Sequence, residues 1–320
     1  MIRLALIGLG NMGMEHLEMF AALAPRVQIT AVADAHAPFA DRAGARVPSA
    51  TVFHDPLDCA RTAGVDAAVV ATTDDTHHGI VDACIARGIY VLCEKPLTAS
   101  ADDSRRLVDA EHAHGRRLVQ VGYMRRYDDD YRRMHDVLRS GRVGDPVLIT
   151  QRHRNPLVVN DFDAEKLILS TASHDVDLFR WFSGDEIAQV SATAKASGSA
   201  LTVLLTLTSR SGILGVVELS RGPGLRYDIG CDILASAGTL TLAAPTPVSD
   251  SWFERFAGAY RSQNAAWLAA VAAGSITGPS TYDGYAGNAV AEAALAALRS
   301  GRAQPVSQLP APGSARPAPA

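Results

Sequence analysis

Some residues of this 320-residue chain stand at spacings that could carry chemistry. Gly8-Leu9-Gly10-Asn11-Met12-Gly13 follows the apolar run Ile2–Ile7 and opens a helical pattern. In such a loop Gly8 permits the tight turn, Gly10 admits a pyrophosphate and Gly13 lets helix and strand approach closely. The N-terminus of the following helix then offers N–H groups and a positive dipole to phosphate. Lys95 stands in Cys93-Glu94-Lys95-Pro96, directly after the strand-like run Ile89–Cys93. A residue before proline is pushed towards extended geometry, which fixes Lys95 off the strand end. There its ammonium can hydrogen-bond a hydroxyl and stabilise the alkoxide as hydride leaves. His174 and Asp177 lie three apart on a helical run and so share a face. Imidazole accepts a proton near neutral pH, and a neighbouring carboxylate holds its tautomer and favours the imidazolium.

The glycine loop alone is a weak signal; its context strengthens it. Asp34 ends the run Val27–Ala33, about 20 residues beyond the loop, where a carboxylate accepts bonds from an adenosine ribose. The same charge repels a 2′-phosphate, and His36 is too weak a cation at pH 7 to compensate. The pair favours NAD over NADP. The expected cofactor contacts are Gly8, Leu9, Gly10, Asn11, Met12, Gly13 and Asp34. Thr72, Thr73 and His77, beyond the strand Ala67–Ala71, join them, with Glu94 and Lys95 at the next strand end.

The elements that must position these groups change character along the chain. Up to residue 122, short β runs alternate with helical patterns: Ile2–Ile7, Val27–Ala33, Val52–Phe53, Ala67–Ala71, Ile89–Cys93 and Leu118–Val121. That alternation predicts a parallel sheet with helices on both faces and ligands beyond the strands' carboxyl ends. Asp128–Leu138 and Ser173–Phe182 read as helices. A strand starts at Pro146, and the runs 186–196, 201–209, 214–220, 228–234 and 238–242 follow with short links. Consecutive strands predict an antiparallel or mixed sheet, one face under helices and the other packed elsewhere, most simply against a second subunit. Helices at Trp252–Ala272 and Tyr282–Arg299 close the second domain. The expected division is 1–122, a nucleotide-binding domain; 123–304, a substrate and oligomerisation domain; and 305–320, a loose Pro/Ala-rich tail.

Composition narrows the classes further. With 48% apolar and 20% charged residues the chain is globular, and a formal charge of −4 does not favour nucleic acid or acidic membrane. The alternation of Arg125, Arg126, Arg132 and Arg133 with tyrosines imitates a basic–aromatic patch. Asp128, Asp129 and Asp130 in its midst point instead to a solvated helix or a hinge. The apolar start breaks at Gly8, Gly10 and Gly13 with no cleavage site behind it, so neither a signal peptide nor a membrane span is expected. Cys59, Cys84, Cys93 and Cys231 lack ligand spacing, and His77-His78 and His112/His114 lack a third ligand. We expect no metal and a reducing, cytoplasmic setting.

GLGNMG at 8–13, CEKP at 93–96, VGYMRRYD at 121–128, HRNP at 153–156, HDVDLFRW at 174–181 and GPSTYDGY at 278–285 together resemble the glucose-fructose oxidoreductase / inositol dehydrogenase / MocA (Gfo/Idh/MocA) family. The resemblance covers nearly all of 1–300, and YMRRYD with HRNP narrows it towards the inositol dehydrogenases. It implies a Rossmann domain, an α/β domain whose open sheet makes homodimers or homotetramers, and NAD(P)-linked oxidation of a ring hydroxyl. Lys95 and His174 match the family's catalytic lysine and histidine, and Asp177 its carboxylate one turn later. Asn155 looks like the substrate-contacting asparagine, and Tyr227 lies near a substrate-side tyrosine.

One departure stands out. Inositol dehydrogenases usually have an aspartate four residues before the histidine, and here that residue is Ser170. A serine can hydrogen-bond the imidazole or a sugar hydroxyl but cannot supply the charge. The change fits a related enzyme with another substrate or pH optimum, or compensation by another carboxylate such as Asp161 or Asp163. The constellation therefore also suits an oxidoreductase of a pyranose, an aldose or an aminocyclitol precursor, or a non-catalytic nucleotide- or sugar-binding protein.

Overall fold

The N-terminal alternation folds as β1 (Ile2–Ile7), α1 (Asn11–Ala21), β2 (Val27–Ala33), α2 (Ala37–Arg46), β3 (Thr51–Phe53), α3 (Pro56–Thr62), β4 (Ala67–Val70), α4 (Asp74–Ala86), β5 (Tyr90–Cys93), α5 (Ala101–His114) and β6 (Val119–Val121). A computed structural model describes residues 1–156, 163–242 and 251–309. The six strands pair in parallel in the order β3-β2-β1-β4-β5-β6. The order reverses beside β1, and the carboxyl ends of β1 and β4 flank the crevice where such sheets bind dinucleotides. Every residue of β4 and β5 is buried, as continuous apolar runs covered on both faces require. Sequence reading passed over α3, although Asp55 caps it and Pro56 sits in its first turn.

The remaining elements are a 3₁₀ turn at Met124–Tyr127, α6 (Asp129–Arg139), β7 (Pro146–Pro156), α7 (Ala164–Lys166), a π-helical turn at Leu167–Thr171, α8 (Ala172–Ser183), β8 (Ile187–Ser197), β9 (Ala200–Ser209), β10 (Leu214–Gly222), β11 (Asp228–Ala235), β12 (Gly238–Leu242), α9 (Trp252–Ala272), α10 (Thr281–Ser300) and β13 (Gln304–Pro305). They form a seven-stranded sheet ordered β12-β11-β7-β10-β9-β8-β13, antiparallel except where β7 runs parallel to β10. Along β7, Ile149, Gln151, His153 and Asn155 are buried, while the residues between them face the other side.

Two expectations need correction. The chain divides into Met1–Tyr123 with Arg261–Tyr285, and Met124–Tyr260 with Ala286–Ala320, rather than at a single point near 122. The cause is apolar: Trp267, Leu268, Val271 and Ile276 belong to the core of the parallel sheet. The tail is not loose from its start, because Pro305 pairs with Gln189 and the Val306 amide donates to the Ala188 carbonyl at 2.9 Å. A proline is tolerated there because β13 is an edge strand. Asp161 and residues 310–320 lie outside the described residues.

Candidate active site

In the first unit the glycine loop is shaped by close approach. Gly8 has φ +92°, and a Cβ there would lie 2.4 Å from the Ala71 carbonyl carbon. A Cβ on Gly13 would lie 1.8 Å from the Gly8 carbonyl oxygen, whereas one on Gly10 would meet nothing within 4 Å. The loop is thus tight on its protein side and open where a pyrophosphate would approach. Gly10 caps α1 and no side chain occupies the cap, which leaves the helix N-terminus suited to an anion. Asn11 is exposed and Met12 half-buried beside it.

Asp34 is engaged by the protein's own backbone. Its Oδ2 accepts from the Leu9 amide at 2.6 Å and its Oδ1 from the His36 amide at 2.8 Å, so the carboxylate also fixes the loop. Further oxygen lone pairs can still accept from a ribose. The donor set fits NAD: open glycine backbone, an uncapped helix start and an acid at the end of β2.

Thr72 and Thr73 stand at the carboxyl end of β4, where Thr73 precedes α4 and the Thr76 hydroxyl donates to Thr72 Oγ1 at 2.7 Å. His77 follows on α4, three residues after its start. It is buried, with Nδ1 3.0 Å from the Pro96 carbonyl oxygen and Nε2 3.2 Å from that of Thr72. Both ring edges face backbone, so His77 braces two strand ends against each other. Glu94 is buried as well, with Oε1 3.0 Å from His16 Nε2 and Oε2 accepting from the Lys95 amide at 3.2 Å. Lys95 itself is half-buried just past β5.

In the second unit, His174 and Asp177 are buried on α8. Asp177 accepts from Arg126 Nε at 2.9 Å and from its Nη2 at 2.5 Å, a bidentate pair. Sequence reading missed the group between them. Asp175 is fully buried and takes Arg125 Nη1 on Oδ1 at 2.7 Å and His153 Nδ1 on Oδ2 at 2.7 Å. Burial alone would raise its pKa, but Arg125 and then His153 hold it below the usual carboxylate value. Gln151 Nε2 donates to the Asp175 carbonyl at 2.8 Å. Arg132 and Arg133 are exposed on α6, but Arg125 departs from a solvated segment: it is 1% exposed, against Phe256, and neutralises a buried acid. The signal lay in two adjacent arginines facing the two carboxylates of HDVD.

Asn155 is buried on β7, and its Nδ2 has no hydrogen-bond partner among the described residues. Tyr227 is buried with its ring edge-on to His153 and to Phe256. Ser170 lies in the π-helical turn with its hydroxyl donating to the Lys166 carbonyl at 2.8 Å. Asp163 caps α7, accepting from the Lys166 amide at 2.7 Å. Among the described residues no group of three or more His, Cys, Asp or Glu could hold a metal ion.

The family description "Oxidoreductase family, NAD-binding Rossmann fold" matches residues 2–123, and "GFO/IDH/MocA C-terminal domain" matches 131–241. Inositol 2-dehydrogenase 1 of Saccharopolyspora erythraea is 39% identical, over 94% of this chain and 95% of its own. The chain belongs to the Gfo/Idh/MocA oxidoreductase family. Inositol 2-dehydrogenase of Rubrobacter xylanophilus is 36% identical over 97% of this chain and 95% of its own. Myo-inositol dehydrogenase from Lactobacillus casei, solved in complex with NAD(H) and myo-inositol, superposes with a TM-score of 0.90 at 25% identity, covering 98% of each chain. In this Gfo/Idh/MocA chain both the parallel and the mixed sheet therefore have counterparts in inositol-acting relatives.

Proposed function

We propose that this protein oxidises a ring hydroxyl of a cyclitol, with myo-inositol the first substrate to try, using NAD. The observation that carries the reading is near-full-length similarity to inositol 2-dehydrogenases, spanning both units. Bound NAD supplies the acceptor for the hydride leaving the ring carbon. Lys95 donates a hydrogen bond to the reacting oxygen and stabilises its negative charge. His174 takes the hydroxyl proton, directly or through a water, and a ketone results. The buried Asn155 Nδ2 donates to a neighbouring hydroxyl, and Tyr227 and Ser170 line the polyol's side. A polyol site discriminates by such bonds more sharply than by apolar fit. Asp177, tied to Arg126, holds the face of α8 that carries His174.

Lys95→Ala should lower turnover by about 10²–10³-fold, the scale of losing one oxyanion donor, while NADH still binds. Unchanged turnover would remove Lys95 from the mechanism. Ser170 favours a second reading, a pyranose, an aldose or an aminocyclitol precursor as substrate, because the hydroxyl brings no charge to the turn before α8. A panel of inositol isomers and hexoses assayed by NADH formation separates the two. NADH binding without turnover on any member identifies a non-catalytic binder.

The face of the seven-stranded sheet opposite Ile149 fits a second copy of this chain. In-register residues share a face, so Leu234, Leu148 and Leu214 make one row across β11, β7 and β10, with the outer two 47% and 50% exposed. Below the row, Arg152 pairs with Asp228 and Arg154 with Glu218. Light scattering should give a dimer or larger assembly, and the Leu214→Lys/Leu234→Lys variant a smaller one. A monomeric wild type would refute this arrangement. A cytoplasmic setting is proposed with it, supported by four free, buried cysteines.

A further inference from the structure

The helix that begins at the glycine loop carries, one turn on, a buried histidine used by neither the phosphate site nor the proposed chemistry. His16 is fully buried on α1. Its Nε2 lies 3.0 Å from Glu94 Oε1, and the other oxygen of that carboxylate accepts the Lys95 amide at 3.2 Å. On the far side, Asn264 Nδ2 lies 2.9 Å from His16 Nδ1 and 3.5 Å from Met19 Sδ. An amide nitrogen only donates, so Asn264 Nδ2 gives one hydrogen towards His16 Nδ1 and one towards Met19 Sδ. His16 Nδ1 is then the acceptor, so the ring proton sits on Nε2 and is donated to Glu94. Gly122 completes the arrangement, because a Cβ there would come within 3.1 Å of the Glu94 carboxyl group. The carboxylate is thus held by a ring donor and closely approached by the Gly122 backbone.

We infer that His16, held in one tautomer by Asn264, is a positioning residue for Lys95, acting through Glu94. The inference rests on the reading that Lys95 stabilises the reacting oxygen. Asn264→His16→Glu94 continues to the Lys95 amide, so the chain ties α1 to the lysine's backbone. Because α1 also starts at the phosphate loop, the same helix sets the nucleotide contact and the register of the lysine. No proton needs to move along the chain during turnover; its work is geometric.

The test compares His16→Ala, His16→Gln and Lys95→Ala in the full-length protein. The measurements are kcat with myo-inositol and with inositol deuterated at the reacting carbon, NADH affinity, melting temperature and amide hydrogen exchange of the peptide carrying Lys95. The glutamine amide can donate from the place of Nε2, so it should restore what alanine loses. In His16→Ala, kcat should fall by about tenfold to a hundredfold and the deuterium effect should rise, with NADH affinity changed less than about twofold. Exchange at the Lys95 amide should quicken by about fivefold, as expected for one lost hydrogen bond. A folded His16→Ala with wild-type kcat and wild-type exchange overturns the inference. So does an equal loss in the alanine and glutamine variants, which would mark His16 as a packing residue only. Lys95→Ala with full turnover removes the parent reading, and the inference with it. A dead Lys95→Ala beside an unaffected His16→Ala removes the inference alone.

Discussion

Each unit buries a histidine against a carboxylate, and the two pairs are closed in opposite ways. In the first, His16 meets Glu94, and the neighbours beyond are a neutral amide, Asn264, and a backbone N–H. In the second, His153 meets Asp175, and the neighbour beyond is the fully buried guanidinium of Arg125. Removing a member of the first pair leaves polar groups short of a hydrogen bond. Removing the acid of the second leaves a permanent cation buried without its counter-charge, which costs far more. The first pair is therefore suited to adjusting the position of Lys95, and the second to locking three elements together: the Met124–Tyr127 turn, β7 and α8.

The largest effect that would break this contrast is Asp175→Asn. It should lower unfolding free energy by about 3–5 kcal/mol, read from the urea midpoint, because Arg125 loses its counter-charge. A loss no larger than that of an ordinary polar substitution would show that Arg125 finds water or another acid. The pH dependence sharpens the point. The folded pKa of Asp175 lies below its unfolded value, so its contribution is fully present above the unfolded pKa of about 3.9. It is lost as pH falls through the folded value. Melting curves from pH 7 towards pH 3 should fall more steeply for the wild type than for Asp175→Asn, which carries no such group.

A smaller effect concerns a third histidine. His16 and His153 each face a carboxylate, whereas four residues before His174 stands Ser170, its hydroxyl turned to the Lys166 carbonyl. Ser170→Asp brings a charge to that turn and favours the imidazolium formed when His174 takes a proton. On myo-inositol kcat/KM should rise by about threefold to tenfold. No rise on inositol, with good turnover of a hexose in the wild type, would transfer the assignment to the sugar.

Sequence alone reached most of the architecture because its signals are local. Apolar runs such as Ala67–Val70 and Tyr90–Cys93, and the glycine loop at Gly8–Gly13, announce strands and the nucleotide turn from their own neighbours. What it missed was long-range. Asp175 is one residue from His174 and looks like any polar helix residue until Arg125 and His153, distant in the chain, are brought against it. His77 is read from sequence only as a residue near a strand's carboxyl end; its two backbone partners, one of them on the next strand's loop, come from distant parts of the fold. The joining of Arg261–Tyr285 to the first unit is similarly invisible, since apolar periodicity says that Trp267 is buried but not in which core.

The smallest expected effect tests whether burial, rather than the number of ion pairs, sets the stakes. On the exposed face of α5, Arg105 bonds Asp102 at 2.9 Å and Asp109 at 2.8 Å, while Arg106 bonds Asp102 at 2.8 Å. Counted as contacts this cluster rivals Arg125 with Asp175 and His153. Its members are solvated in both the folded and unfolded chain, and salt screens what attraction remains. Arg105→Ala should therefore leave the melting temperature within about 1 °C of wild type, and raising salt should shrink even that difference. Asp175→Asn should respond little to the same salt, because its partner charge is out of reach of mobile ions. If the surface variant instead melted as early as the buried one, charge count would govern and the contrast between the two histidine pairs would lose its physical basis.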